Sequence, residues 1–267
     1  MKVWRPLSLG CAVALATSLL LARTHPFGDA NLHNEANAQP SKMKDTSLPP
    51  AVGTLLITKC AYCHSMQTHA PVYGRFAPIS WLMERDIVEG RKAFNFAQWD
   101  TYTTDKQQTI AAKIVQETKS HRMPLIQYRI IHWDSNLSDA NIQTLVQWSH
   151  GMQANASEGP GPAPTGSADA ARGKEVFERR CNGCHTLTQD REGPRLQGVY
   201  GRTSGTVAGF TSSPALKKAG IVWNEATLDK WLTDPDSVAP GNEMDFRVPK
   251  PDERRDLIKY LQQSAGQ

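Results

Sequence analysis

An all-α chain of two small helical domains, joined by a Pro/Gly-rich linker, is the architecture this sequence predicts. Three observations predict it. Apolar residues recur at helical spacing while strand signals are weak throughout. Residues 151–170 form a run of small residues, Pro and Gly that reads as a partly extended linker. A Cys-x-x-Cys-His pentapeptide stands once on each side of that run. A length of 267 residues suits two small domains and is short for three.

In chain order, Lys2 and Arg5 precede an apolar stretch from Leu7 to Ala22. It is short for a membrane span, which needs about 20 residues, and fits the apolar region of an export signal. Ala36-Asn37-Ala38 has the small-x-small form of a cleavage site, set far from the apolar stretch. Residues 1–38 are therefore expected to be a signal peptide, with an uncleaved anchor on a polar stalk as the alternative. The expected location is the periplasm, either in solution or tethered to the inner membrane. Cys11 is followed by apolar sequence and does not resemble a lipoprotein attachment site.

Residues 39–150 form the expected first domain and 171–267 the second. The first segment carries twelve Lys/Arg against nine Asp/Glu, whereas 151–267 carries fifteen of each. A formal net charge of +4 gives no sign of nucleic-acid binding. Helices are expected over Asp105 to Lys119, with Ile110, Ile114 and Val115 on one face. A second follows Ser138, with Ile142, Leu145, Val146 and Trp148 as its stripe and Gly151 at its end. Beyond the linker, Ala168 to Arg180 and Pro251 to Gln262 carry the same signature through Val176, Phe177, Leu257, Ile258, Tyr260 and Leu261.

The pentapeptides are Cys60-Ala61-Tyr62-Cys63-His64 and Cys181-Asn182-Gly183-Cys184-His185. Two residues between cysteines let one turn of chain present both sulfurs to one edge of a haem, and the next residue places an imidazole beneath the iron. A zinc site would need a second ligand pair at metal spacing, and these pairs lie 121 residues apart. A thioredoxin-like motif would not require the histidine. Two covalent haem c groups are expected, held by Cys60, Cys63, Cys181 and Cys184, with His64 and His185 as proximal ligands.

From Gly173 onward the sequence resembles the class I, mitochondrial-type cytochrome c family. The resemblance rests on Gly173-Lys-Glu-Val-Phe177, the haem motif, Gly193-Pro194-Arg-Leu196-Gln-Gly198 and Gly201-Arg202. It continues through Gly209-Phe210, Gly220-Ile-Val-Trp223, Pro240-Gly241-Asn-Glu-Met244 and the stretch from Arg254 to Leu261. It implies His185 and Met244 as axial ligands, Pro194 orienting His185, and Arg202 and Trp223 near the propionates. Gly173 and Phe177 would pack on the last helix. Met244 has separate support: a thioether suits iron that accepts electrons, and it follows Pro-Gly in a loop rather than an apolar face. Ser212, Asn242 and Trp231 depart from the family pattern.

The first unit resembles a family of small bacterial haem-binding domains, from about Cys60 to Trp148. The residues that carry this are the haem motif with Ser65, Tyr73 to Leu82, Arg85 to Arg91, Asn95-Phe96, Met123-Pro124, and His132 with Leu137-Ser138. Its distal ligand is open between Met123, which begins a Met-Pro loop, and His132, His121 or His69. Met123 follows His64 by 59 residues, as Met244 follows His185. Trp81, Phe94, Phe96, Trp99, Trp133 and Trp148 are expected to wrap this haem or build the core. Arg85 and Arg91 are candidates for its propionates or solvated charges.

The expected function is single-electron transfer between a redox protein donor and an acceptor of a respiratory or oxidative pathway, with loose membrane association allowed. A carrier or electron-transfer subunit is expected rather than an enzyme. A two-haem peroxidase-like enzyme, or a sensor of gaseous ligands using an open first haem, are the alternatives.

Overall fold

The computed structural model describes residues 4–32, 48–66, 68, 70–155 and 166–264. The protein is all-α. Among the described residues the α-helices are α1 (Trp4–Leu21), α2 (Pro50–Lys59), α3 (Ala61–His64), α4 (Ile79–Ala93), α5 (Thr104–Lys119), α6 (Ile126–Ile131), α7 (Asp139–Asn155), α8 (Ala170–Val176), α9 (Pro214–Ala219), α10 (Glu225–Thr233), α11 (Pro235–Val238) and α12 (Pro251–Gln263). Among the described residues, extended pairing is limited to one isolated bridge between Thr203 and Val222. No helix among the described residues is long and apolar enough to cross a membrane.

The chain divides into two compact units, Met1–Thr101 and Tyr102–Gln267. This division differs from the one expected from the linker at 151–170. There α7 continues to Asn155, and residues 156–165 lie outside the described residues, as does the Ala36-Asn37-Ala38 motif.

In the first unit, Pro50 opens α2, where its missing N–H costs nothing. Leu55 and Leu56 face inward. Helix α4 buries Ser80, Glu84, Ile87 and Gly90, a stripe at three- and four-residue spacing. Ile87 packs with Ala30 and Leu32, and Tyr62, Cys63 and Met83 lie against them. This contact sets the α3 haem motif against α4.

In the second unit, the Thr103 hydroxyl caps α5 by accepting the Lys106 N–H. The expected face of Ile110, Ile114 and Val115 is buried. Ser138 caps the start of α7 by accepting the Asn141 N–H. Gly151 does not end that helix. Gln153, 1% exposed, donates to the Asp245 carbonyl and accepts the Arg247 N–H, so tertiary hydrogen bonds carry the helix past the glycine. The helix expected to reach Arg180 instead turns into a π-helix at Phe177–Cys181. Helices α8 and α12 cross closely: a Cβ on Gly173 would stand 2.0 Å from the Asp256 carbonyl oxygen. Phe177 and Tyr260 meet with ring centroids 5.6 Å apart.

Candidate haem sites

Both pentapeptides fold into the same tight turn. Helix α2 ends at Cys60, whose carbonyl accepts the N–H groups of Cys63 and His64 at 3.2 and 3.1 Å. The Cys181 carbonyl accepts those of Cys184 and His185 at 3.0 and 2.9 Å. One turn thus carries two sulfurs and an imidazole on each motif. All four cysteines are free thiols. Burial pushes the Cys60, Cys63 and Cys181 thiols up to about 12 and Cys184 to about 11. The thiols are therefore neutral in these buried settings.

Each imidazole is locked from behind. His64 Nδ1 lies 2.8 Å from the Gly90 carbonyl and His185 Nδ1 lies 2.7 Å from that of Pro194. A carbonyl only accepts, so Nδ1 carries the proton and Nε2 keeps the lone pair. Desolvation lowers the pKa of both histidines against the opposing pull of these backbone bonds, so both rings are neutral. A neutral ring with a fixed tautomer is what an iron ligand requires. Phe94 stacks on the His64 ring at 4.1 Å and 7° between planes, and Phe96 meets it edge-on at 6.5 Å. Behind His185 the wall is backbone: a Cβ on Gly193 would fall 2.2 Å from the ring Cε1.

His185 opens onto a cleft of roughly 1280 Å³, part of it open to solvent. Met244, Cys181, Cys184, Pro194, Arg202 and Trp223 line the same cleft. The Met244 N–H is held by Asn242 Oδ1 at 2.8 Å, and the Trp231 indole N–H points at its sulfur at 3.2 Å. Three features of this cleft fit a haem. Its walls are mostly apolar, including Val199, Leu228 and Leu257. Among the described residues the buried Ser212 hydroxyl on the lining has no partner, which fits a propionate oxygen. Arg202 donates to the Gln197 and Arg195 carbonyls, and burial together with Arg195 lowers its pKa, a cost that an anionic propionate would relieve.

Other expected residues fall elsewhere. Met123 lies in the second compact unit, half-buried, with its N–H on the Glu117 carbonyl at 3.0 Å. His132 stacks on Tyr128 at 4.3 Å, and His121 is exposed in a left-handed turn with φ of 56°. His69 lies outside the described residues. Arg91 binds the Ser65 and Ala30 carbonyls and the Thr68 hydroxyl, which makes it a strut, and Arg85 pairs with its neighbour Asp86. Trp133 is 80% exposed, whereas Phe94, Phe96 and Trp99 are buried around His64.

Sequence reasoning missed three residues. Gly90 lies 26 positions from the histidine it holds, on another helix, and no local pattern marks it. Gly193 was visible only as part of a motif. The Trp231 N–H to Met244 contact could have been found from the departure at that position, since indole is a donor.

Comparison with known families matches residues 18–151 to a haem-binding domain and residues 170–265 to cytochrome c. A cytochrome c of Chlamydomonas reinhardtii is 45% identical over 108 residues, 39% of this chain and 95% of the relative. Cytochrome c 2.1 of Caenorhabditis briggsae is 48% identical over 99 residues, 36% of this chain and 88% of the relative. Among solved structures, cytochrome cH from Methylobacterium extorquens is 39% identical with a TM-score of 0.35, covering 36% of this chain and 99% of that one.

Proposed function

Because the chain belongs to the haem-binding domain family over residues 18–151 and to the cytochrome c family over 170–265, both built around haem, we propose that it is an exported two-haem electron carrier. It passes single electrons between a redox protein donor and an acceptor of a respiratory or oxidative pathway, in the periplasm. The haem supplies the one-electron iron couple, and the protein holds, orients and shields it.

Cys181 and Cys184 attach one haem and Cys60 and Cys63 the other. In the second domain His185 and Met244 would hold the iron of the haem attached at Cys181 and Cys184. Pro194 fixes the imidazole, while Arg202, Ser212 and Trp223 receive the propionate side. A thioether opposite an imidazole, in a mostly apolar cleft, raises the potential into a range suited to accepting electrons. For the haem at Cys60 and Cys63, His64 would be the proximal ligand and Met123 the distal one. Its Met-Pro loop and its 59-residue spacing from His64 support that choice. With a ligand from the chain on each side of both irons, no bond would need to form or break, which favours transfer over catalysis.

The observation that carries this reading is the repeated lock of Nδ1 on a backbone carbonyl, at Gly90 and at Pro194, beside a pair of neutral thiols. The holoprotein, made with a working haem-maturation system, tests it by haem-to-protein ratio and ferric spectrum. Two haems per chain with low-spin iron are expected. One haem, or high-spin iron unaltered by Met123→Ala, overturns the two-haem closed relay.

A further inference from the structure

We infer that the chain keeps its N-terminal leader, and that α1 is seated in the hydrocarbon of a lipid bilayer. The segment that follows the apolar stretch is built into the first unit rather than hung from it. The Ser18 hydroxyl donates to the Ala77 carbonyl at 2.6 Å. The Trp81 indole N–H donates to the carbonyls of Leu21 and Thr24 at 3.0 and 3.1 Å, closing the end of α1. Arg91 reaches the Ala30 carbonyl at 3.0 Å. Ala22, Ala30 and Leu32 are each 2% exposed or less, and the last two form a core with Ile87 of α4.

A buried polar contact ties the same two segments together. Glu84 on α4 is fully buried, and its Oε1 lies 2.7 Å from His25 Nδ1. Cleavage after Ala38 would remove His25 and leave that carboxylate buried without it, with its other oxygen already unpartnered. It would also strip the cover from α4, the helix whose Gly90 carbonyl holds His64. The leader's distal part is thus a wall of the haem-binding unit.

A retained α1 needs a nonpolar medium. Leu9, Val13, Leu15, Leu19, Leu20 and Leu21 are between 41% and 72% exposed, so the protein leaves the helix's large apolar side chains uncovered. A helix apolar on all sides belongs in lipid or a large core, and its 18 residues extend about 27 Å. Insertion from one side satisfies this without a full crossing.

The full chain, expressed with its own leader and haem maturation, gives the test by intact mass and membrane fractionation. Expected is a haem-bearing chain that retains residues upstream of Ser18, stays with membranes through alkaline carbonate and leaves only with detergent. A mature chain starting at Gln39, or release by carbonate, overturns the inference. A second chain carries a foreign cleavable signal fused directly to Gln39. Its expected haem-to-protein ratio falls to about half that of the parent, with the Cys181–Cys184 site still loaded; full loading with unchanged thermal stability overturns it. The parent's own haem count judges the two-haem reading separately, because the leader is read by mass.

Discussion

The two haem motifs share a turn, a pair of neutral thiols and an imidazole locked through Nδ1, yet they reach that state by different routes. His185 is held by Pro194, nine residues on, within one continuous loop, and its cleft contains Met244 with the sulfur positioned by Trp231. His64 is held by Gly90 across a helix and is stacked on Phe94. The first is built of local backbone and the second of tertiary packing. The lesson is that the motif specifies attachment, while the surroundings of the ring specify how the iron is tuned and how much substitution the site tolerates.

The largest expected effect separates the sites by their distal ligands. Met244→Ala should lower the potential of the second haem by roughly 0.2 V, a part of the ~0.8 V that axial ligation spans, while leaving the other haem where it was. Met123→Ala should do the reverse. Redox titration with spectra at both haems checks this, and a fall at the wrong haem would break the pairing of ligands with motifs.

The seats behind the rings should differ as sharply. A Cβ at Gly193 would meet His185 at 2.2 Å, far inside van der Waals contact, whereas at Gly90 the nearest atoms are the Cys63 oxygen at 3.2 Å and His64 Cε1 at 3.4 Å. Gly193→Ala is expected to cost about 3 kcal/mol or to block haem loading altogether. Gly90→Ala sits inside α4, where alanine gains up to about 1 kcal/mol of helix propensity, so the net change should be near zero. Denaturant midpoints of the two holoproteins decide it. Equal losses would mean that both rings rest on equally rigid walls.

A smaller effect tests the sulfur contact. The Trp231 N–H withdraws density from the Met244 thioether, making it a weaker donor to ferric iron. Trp231→Phe keeps an aromatic ring and deletes the donor. Losing a hydrogen bond of about 1 kcal/mol corresponds to a potential lower by about 40 mV at 59 mV per tenfold. No change in the second haem's potential would show that the contact does not act on the iron.

The sequence made the helices legible where apolar residues kept to one face, as at Ile110, Ile114 and Val115. It failed where tertiary bonds override a local stop: Gly151 reads as an end, but Gln153 is drawn into hydrogen bonds with Asp245 and Arg247. At the sites, the cysteines and histidines were legible because covalent attachment demands a fixed spacing. Pro194, Arg202 and Trp223 entered only through family resemblance, whereas Met244 was also marked by its thioether and its place after Pro-Gly. Gly90 was not, since a backbone carbonyl has no side-chain signature. The burial of Ala22, Ala30 and Leu32 was not legible for a similar reason: they are buried one by one, without a period that marks a packed face.

The last contrast concerns what holds the second unit together away from its haem cleft. Asp256 accepts the Asp169 N–H at 2.9 Å and the Arg172 guanidinium at 2.6 and 3.1 Å, tying α12 to the start of α8. Burial alone would raise its pKa, but these donors overcome it and hold the carboxyl below the ordinary carboxylate range. A depressed carboxylate stabilises the fold above its unfolded pKa, near 4. As pH falls below that value the unfolded chain takes up the proton first, and the contribution is lost through the lower folded pKa. Asp256→Asn should therefore lower stability at pH 7 and flatten its dependence on pH below about 4, with no shift in either haem's potential. Thermal midpoints across pH 2–7 measure this, and an acid limb as steep as the parent's would place the titrating group elsewhere.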